Sequence, residues 1–401
     1  LTRTDDGSGD GAVRRRLFLD RNLLVIFTIT LVALVGVSSI APALPAVARR
    51  FGITAAQAGW LVSVFTIPGV LLTPVMGLAG DRLGRKRVLI PSLVLFAVAG
   101  GACTLVHAFS YLLLLRFLQG VGAAAIGALN LALIGDLYSG HERVVAFGYN
   151  TAVISTAAAG YPLIGGALVL FGWQYPFVLA LLGLPVALLV VTVLDNPAPS
   201  RTESLGLYFR NLAAAIRRVE IGALFVGSLA AFILIYGTLI AFLPFLIERS
   251  LGASAVDYGV VMAANAIGSV GGSIALGPLG RRYPHRRIAL STLVVLALTT
   301  AALPFAPTLW VMIAISVVLG VTIGVFLTLV QSLLAERAPV EQRGAVLALN
   351  GMMIRAGQTF GPILMSVLVT LGGMVAVFAG GAVVVLAVLP LVALAMRPQP
   401  A

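Results

Sequence analysis

Apolar runs of about 20 residues, each long enough as a helix to cross about 30 Å of hydrocarbon, recur through nearly the whole of this 401-residue chain. Sixty per cent of the residues are apolar and ten per cent charged, against roughly 45–50 and 25 per cent in a soluble domain. No aqueous fold hides that much apolar surface, so the solvent is lipid. The runs predict twelve transmembrane helices near 22–45, 56–79, 87–106, 109–134, 143–170, 173–194, 222–247, 257–280, 287–305, 308–334, 342–371 and 373–395. The first, Leu23 to Leu44, is too long for a signal-peptide core and is taken as a span. The expected organisation is a cytoplasmic tail (1–21), a six-helix bundle (22–194), a cytoplasmic linker (195–221) carrying Pro197, Pro199, Arg201, Arg210, Arg217 and Arg218, and a second six-helix bundle (222–396).

Charge placement gives orientation. Of 26 Lys and Arg residues, Arg49, Arg50 and Arg249 fall on one side, Arg116 and Arg355 inside spans, and all others on the opposite side. Because cytoplasmic loops retain Lys and Arg, both termini are expected in the cytoplasm and the chain in the cell's inner membrane. The formal charge of +12 is spread over short interhelical clusters, which points to membrane orientation and away from a nucleic-acid partner.

A shift of 200 residues superposes the two halves. Gly52, Gly59, Gly77, Arg82, Lys86, Gly120, Asp136, Arg143, Asn150 and Pro162 fall on Gly252, Gly259, Gly277, Arg282, Arg286, Gly320, Glu336, Arg343, Asn350 and Pro362. Parallel repeats of this kind place a solute site at the interface of the halves, near mid-membrane, and let the halves rock around it. The expected function is therefore transport of a small molecule.

Enzyme chemistry lacks its residues. His107, His141 and His285 lie in separate loops, Cys103 has no second cysteine, and neither H-E-x-x-H nor G-x-S-x-G occurs, so no metal and no cofactor are expected. The run GVGAAA from Gly120 has no preceding strand to make it a nucleotide loop.

Between the second and third spans stands GLAGDRLGRKR, Gly77 to Arg87. Membrane anchoring accounts for its cations but not for Asp81, an acid at a helix end that calls for a partner. The segment resembles the loop between helices two and three of the major facilitator superfamily, G-x-x-x-D-R-x-G-R-[RK]-[RK], at every fixed position. The resemblance implies that Gly77, Asp81, Arg82, Gly84, Arg85 and Lys86 form a cytoplasmic gate that latches the halves, with Asp81 and Arg85 at its centre. Asp136 resembles the family acid that pairs with the loop arginine, and Arg143 the arginine opening the fifth span. In the second copy Arg281, Pro284 and His285 replace Asp81, Gly84 and Arg85, so a single, asymmetric latch is expected.

Arg116, in R-F-L-Q-G-V-G, resembles the family's R-x-x-Q-G arginine, associated with substrate response and proton movement; a cavity role is expected, with snorkelling to the interface as the plain alternative. In the fifth span Gly160, Pro162, Gly165 and Gly166 resemble the glycine–proline motif of antiporter branches, with Tyr161 where the family has glycine. Close packing of the fifth helix on the eighth, through Gly268, Gly271 and Gly272, is the structural expectation. Arg355 lies about a dozen residues into the eleventh span, out of reach of either end at about 1.5 Å per residue. It either contacts an anionic substrate, with Gln358 and Thr359 nearby, or bonds carbonyls freed near Pro362.

By the same resemblance helices one, four, seven and ten line the cavity, which makes Ser38, Arg116, Gln119, Asn130, Tyr236, Thr328 and Gln331 candidates together with Arg355 and Gln358. None of the fourteen acids lies deep in a predicted span, so proton coupling would fall to Asp136 or Asp81. The resemblance to the 12-helix drug:proton antiporter branch implies a monomeric exporter of small amphiphilic or drug-like molecules working by alternating access. Protons would be its coupling ion and the lipid bilayer its solvent. A facilitator or uptake carrier for a small organic anion is the alternative.

Overall fold

The computed structural model describes residues 17–195, 219–338 and 343–396. Most of the predicted tail (1–16) and linker (196–218), and residues 339–342 and 397–401, lie outside them. The first ten spans are α1 (Arg21–Phe51), α2 (Ala55–Leu83), α3 (Arg85–Leu105), α4 (Phe109–Leu137), α5 (Gly140–Val169), α6 (Tyr175–Thr192), α7 (Glu220–Leu251), α8 (Ala255–Arg282), α9 (His285–Phe305) and α10 (Leu309–Arg337). A last helical run, Arg343–Ala395, is broken by non-helical backbone at Gly372 and Gly373, where φ reaches 67°. Its two parts, α11 (343–371) and α12 (374–395), bring the helices to twelve. The break falls where the sequence places the loop, because only glycine takes positive φ without steric penalty.

The duplication is visible in local chemistry. Gly52 (φ 63°) ends α1 and Gly252 (φ 60°) ends α7, each supplying the left-handed residue that closes a helix C-terminus. Two residues on, Thr54 and Ser254 cap α2 and α8 with the same reciprocal box: each hydroxyl accepts from the backbone of Gln57 or Asp257, whose side chain accepts in return. Asp257 is thereby a capping residue. Thr54→Ala or Ser254→Ala is expected to cost about 1 kcal/mol, read as a small fall in melting temperature in detergent with transport retained.

Each half is tied at one membrane face. Arg21 and Asn22 at the start of α1 donate to Asp195 after α6 at 3.0 and 2.9 Å, and these bonds hold its carboxyl below the usual carboxylate range. Arg337 at the end of α10 pairs with Glu220 at the start of α7. Inside the first half Asn130 (α4) donates to Thr30 (α1) at 2.7 Å, and Thr30 donates to Asn150 (α5) at 2.5 Å. Asn130, expected on the cavity wall, is thus buried in a polar tie between three helices. The second half keeps only Asn350 of this set, with Ala230 and Val330 at the other positions.

The halves meet mainly through α2 against α11 and α5 against α8.

Candidate functional site

A cavity of about 280 Å³ lies between the halves. The first half contributes Leu34 and Ser38 from α1, Phe65, Thr66 and Gly69 from α2, and Gly127 from α4; the second contributes Tyr236 from α7 and Arg355 and Gln358 from α11. Tyr236 stands in a π-helical stretch of α7, Leu234–Ile240, a widening of the helix that often marks functional positions.

Arg355 dominates the electrostatics, as the one charged residue among the described lining residues. Its guanidinium reaches across to the first half, where two glycines make room: a Cβ on Gly69 would stand 2.9 Å from Nη1, and one on Gly127 would stand 2.5 Å from Nη2. It lies on the cavity wall and makes no hydrogen bond to the carbonyls near Pro362 among the described residues. Ser38, Tyr236 and Gln358 also line the cavity.

Other candidates sit elsewhere. Arg116 neither snorkels nor lines the cavity: it is 1 % exposed, donates through Nε to Leu61 O at 3.2 Å and through Nη1 to Gln119 Oε1 at 2.7 Å, and lies 4.2 Å over the ring of Phe65. Phe65 lines the cavity, so Arg116 and Gln119 act behind the wall. The cation has two hydrogen-bond acceptors and a π face, which offsets part of its burial cost. Thr328 donates to Ser273 at 3.0 Å and Gln331 is exposed, and neither joins the cavity. The sequence missed Thr66, Gly69 and Gly127; a threonine and two glycines inside apolar helices were the available signal.

On the face bearing the Gly77–Arg87 loop, Gly84 takes φ 97° to turn α2 into α3, a conformation that favours glycine. Arg85 pairs with Asp81, bonds Asp136 Oδ2 at 2.9 Å and lies 3.4 Å from Gly77 O. Lys86 donates to Val191 and Leu194 carbonyls at 3.1 and 2.7 Å, capping the end of α6 where a cation is favoured. Arg143 donates to Tyr138 O at 2.8 Å, and Arg82 is exposed. Asp81, Arg85 and Asp136 thus come together, but every partner just named belongs to the first half, so the expected latch between the halves is not formed here. Arg286 repeats the Lys86 contact in the second half, donating to Ala393 O at 3.2 Å.

Among the described residues, the polar contacts between halves lie from the cavity outward to the opposite face. Arg49 pairs with Glu248, Ser366 donates to Ala56 O at 3.0 Å, Ser63 donates to Thr359 O at 3.0 Å, and Thr359 donates to Thr66 at 3.0 Å. Backbone packing seals the same region. A Cβ on Gly166 would collide with Ala255 O, and one on Gly259 would stand 2.6 Å from Pro162 O. Gly165 closes on Ser39 of α1, while Gly160 has no neighbour within 4 Å. The expected fifth-to-eighth packing is present, but its α8 partner is Gly259. Gly268 and Gly272 face Val317 and Val321 of α10, and Gly271 faces open space.

The sequence description that matches this chain is "Major Facilitator Superfamily", over residues 26–248 and 224–401. The quinolone resistance protein NorA of Staphylococcus aureus (strain N315) is 27 % identical over 185 residues, 46 % of this chain and 48 % of NorA. The chain thus spans about half the length of the curated relatives it matches. Two solved structures share the fold. A bacterial homolog of the human lysosomal transporter Spinster, inward-facing and unoccupied, has a TM-score of 0.75 at 18 % identity, covering 96 % of this chain and 95 % of that one. The nucleoside transporter NupG has a TM-score of 0.78 at 16 % identity, covering 94 % and 100 %.

Proposed function

Because this chain belongs to the major facilitator superfamily, whose members carry small molecules across membranes, we propose that it exports small amphiphilic or drug-like molecules by alternating access from the cavity between its halves. The observation that carries this reading is a half-polar, half-apolar chamber walled by α1, α2 and α4 on one side and α7 and α11 on the other. Contacts between the halves seal it toward the Arg49–Glu248 face. With the Asp81 loop in the cytoplasm, which the bias of Lys and Arg toward cytoplasmic loops supports, this is the loading state of an exporter in the inner membrane. The partial likeness to NorA supports drug-like cargo. Proton coupling would act through the Asp81–Arg85–Asp136 cluster, which joins α2, α3 and α4. One polypeptide supplies both cavity walls, which suits a monomer.

A carrier for small organic anions is the second reading, and Arg355 on the cavity wall is the observation that favours it.

The deciding experiment is efflux of dyes and a quinolone from cells stripped of their own pumps, with and without an uncoupler, for the parent, Asp81→Asn and Arg116→Ala. Proton-driven export predicts uncoupler-sensitive efflux lost in Asp81→Asn and strongly reduced in Arg116→Ala, which undermines the wall at Phe65. Absence of efflux for every compound, with uptake of an organic anion, would reject export and favour the second reading.

A further inference from the structure

Two arginines lie inside the spans, and the protein treats them in opposite ways. Arg116 is met by Leu61 O, Gln119 Oε1 and the Phe65 ring. Among the described residues Arg355 makes no hydrogen bond and no ion pair, and the titratable group beside it is the Tyr236 phenol. Its place in the middle of α11 keeps it from either membrane face, and the chain has shaped the opposite wall around it: Gly69 and Gly127 lack the Cβ atoms that would block its two terminal nitrogens. Neutral polar groups of Ser38, Thr66, Tyr236 and Gln358 share the wall, and Leu34, Phe65 and Ile354 supply apolar surface. A cation at such depth is costly unless it is paired or faces water. On the cavity wall its guanidinium is placed to meet a group that enters and leaves.

We infer that the cavity recognises a small amphiphile carrying a single anionic group, a carboxylate or sulfonate, bound at Arg355 between Gly69 and Gly127 with its apolar body against Phe65 and Leu34. The inference rests on the reading of this cavity as the transport site. One guanidinium neutralises one negative charge, whereas a permanent cation would meet a like charge in a low-dielectric chamber. A kinetic consequence follows. Closing both faces over a bare guanidinium is harder than closing them over an ion pair, so the loaded carrier reorients faster than the empty one, and exchange of anion for anion outruns net flux.

The test uses the full chain in zwitterionic liposomes with an isosteric pair of probes, naphthalene-1-sulfonate and 1-naphthyltrimethylammonium. Binding to the purified protein is expected to favour the sulfonate at least tenfold, and Arg355→Gln to remove that preference while Arg355→Lys keeps part of it. In liposomes loaded with sulfonate, labelled sulfonate exchange should exceed net efflux into probe-free buffer about tenfold. Equal or tighter binding of the ammonium probe by the unmodified protein would overturn the inference without recourse to any variant, as would an unchanged preference in Arg355→Gln. Net efflux as fast as exchange would overturn its kinetic part. Sulfonate binding that depends on Arg355, with neither probe transported, would support the anion site and reject the transport reading on which it was built.

Discussion

Gly259→Leu is expected to lower transport more than 100-fold while the protein still inserts and folds. The position faces the backbone of α5: a Cβ there would stand 2.6 Å from Pro162 O and 2.8 Å from Leu163 Cα. Backbone atoms cannot rotate out of the way, so a four-carbon side chain holds the halves apart where they must meet to seal the face bearing Arg49 and Glu248. The ties within each half, such as Thr30–Asn130–Asn150 and Arg337–Glu220, are untouched, and the melting temperature in detergent should stay near that of the parent. Transport assays decide the first point. A cysteine placed at Ser366, 5 % exposed in this state, reports the second, because a water-soluble maleimide should label it only when the seal is forced open. Retained transport in Gly259→Leu would show that this contact is dispensable.

Gly272→Leu should do the opposite kind of damage, unfolding one half. Four glycines zip α8 to α10: Gly268 and Gly272 lie against Val317 and Val321 backbone, and Gly320 and Gly324 against Asn265 and Ser269 backbone. Between helices in lipid there is no hydrophobic drive to restore the contact once it is wedged apart, and overpacking typically costs about 1–3 kcal/mol. We expect the melting temperature to drop by about 5–10 °C with loss of a monodisperse elution peak. Gly271→Leu is the matched control, since nothing lies within 4 Å of a Cβ at that position. Equal behaviour of the two variants would mean that the α8–α10 zipper contributes nothing to the fold.

Much of the architecture was legible because it is written in patterns that local physics reads directly. Apolar run length gave the spans, whereas the caps at Thr54 and Ser254 and the glycine stops at Gly52, Gly252 and Gly373 are seen only in the structure. The repeat at 200 residues calls for a solute site between the halves, and the cavity is lined from both. What sequence could not settle was direction around a helix. Arg116 and Arg355 are both cations within apolar runs, yet one turns toward Leu61 and Phe65 and the other into the chamber. Asn130 fell on an expected lining helix but points to Thr30. Small residues likewise reveal that a helix is approached closely without naming the neighbour: the glycine spacing of α8 suits α5, yet Gly268 and Gly272 lie against α10. Each of these questions depends on long-range packing, and the linear pattern carries no record of it.

The uneven inheritance of the polar tie gives the two bundles different mechanical characters. The first half clamps α1, α4 and α5 through Thr30, Asn130 and Asn150 and braces its loop face with Arg85 between two carboxylates. In the second half Ala230 and Val330 stand where Thr30 and Asn130 make the tie, and α7 widens into a π-helical stretch beside the chamber. Rocking motion in a lever of this build does not divide equally between its arms. The first bundle is expected to move as the stiffer block, with bending gathered in the second at the π-helical segment of α7 that brings Tyr236 to the cavity wall.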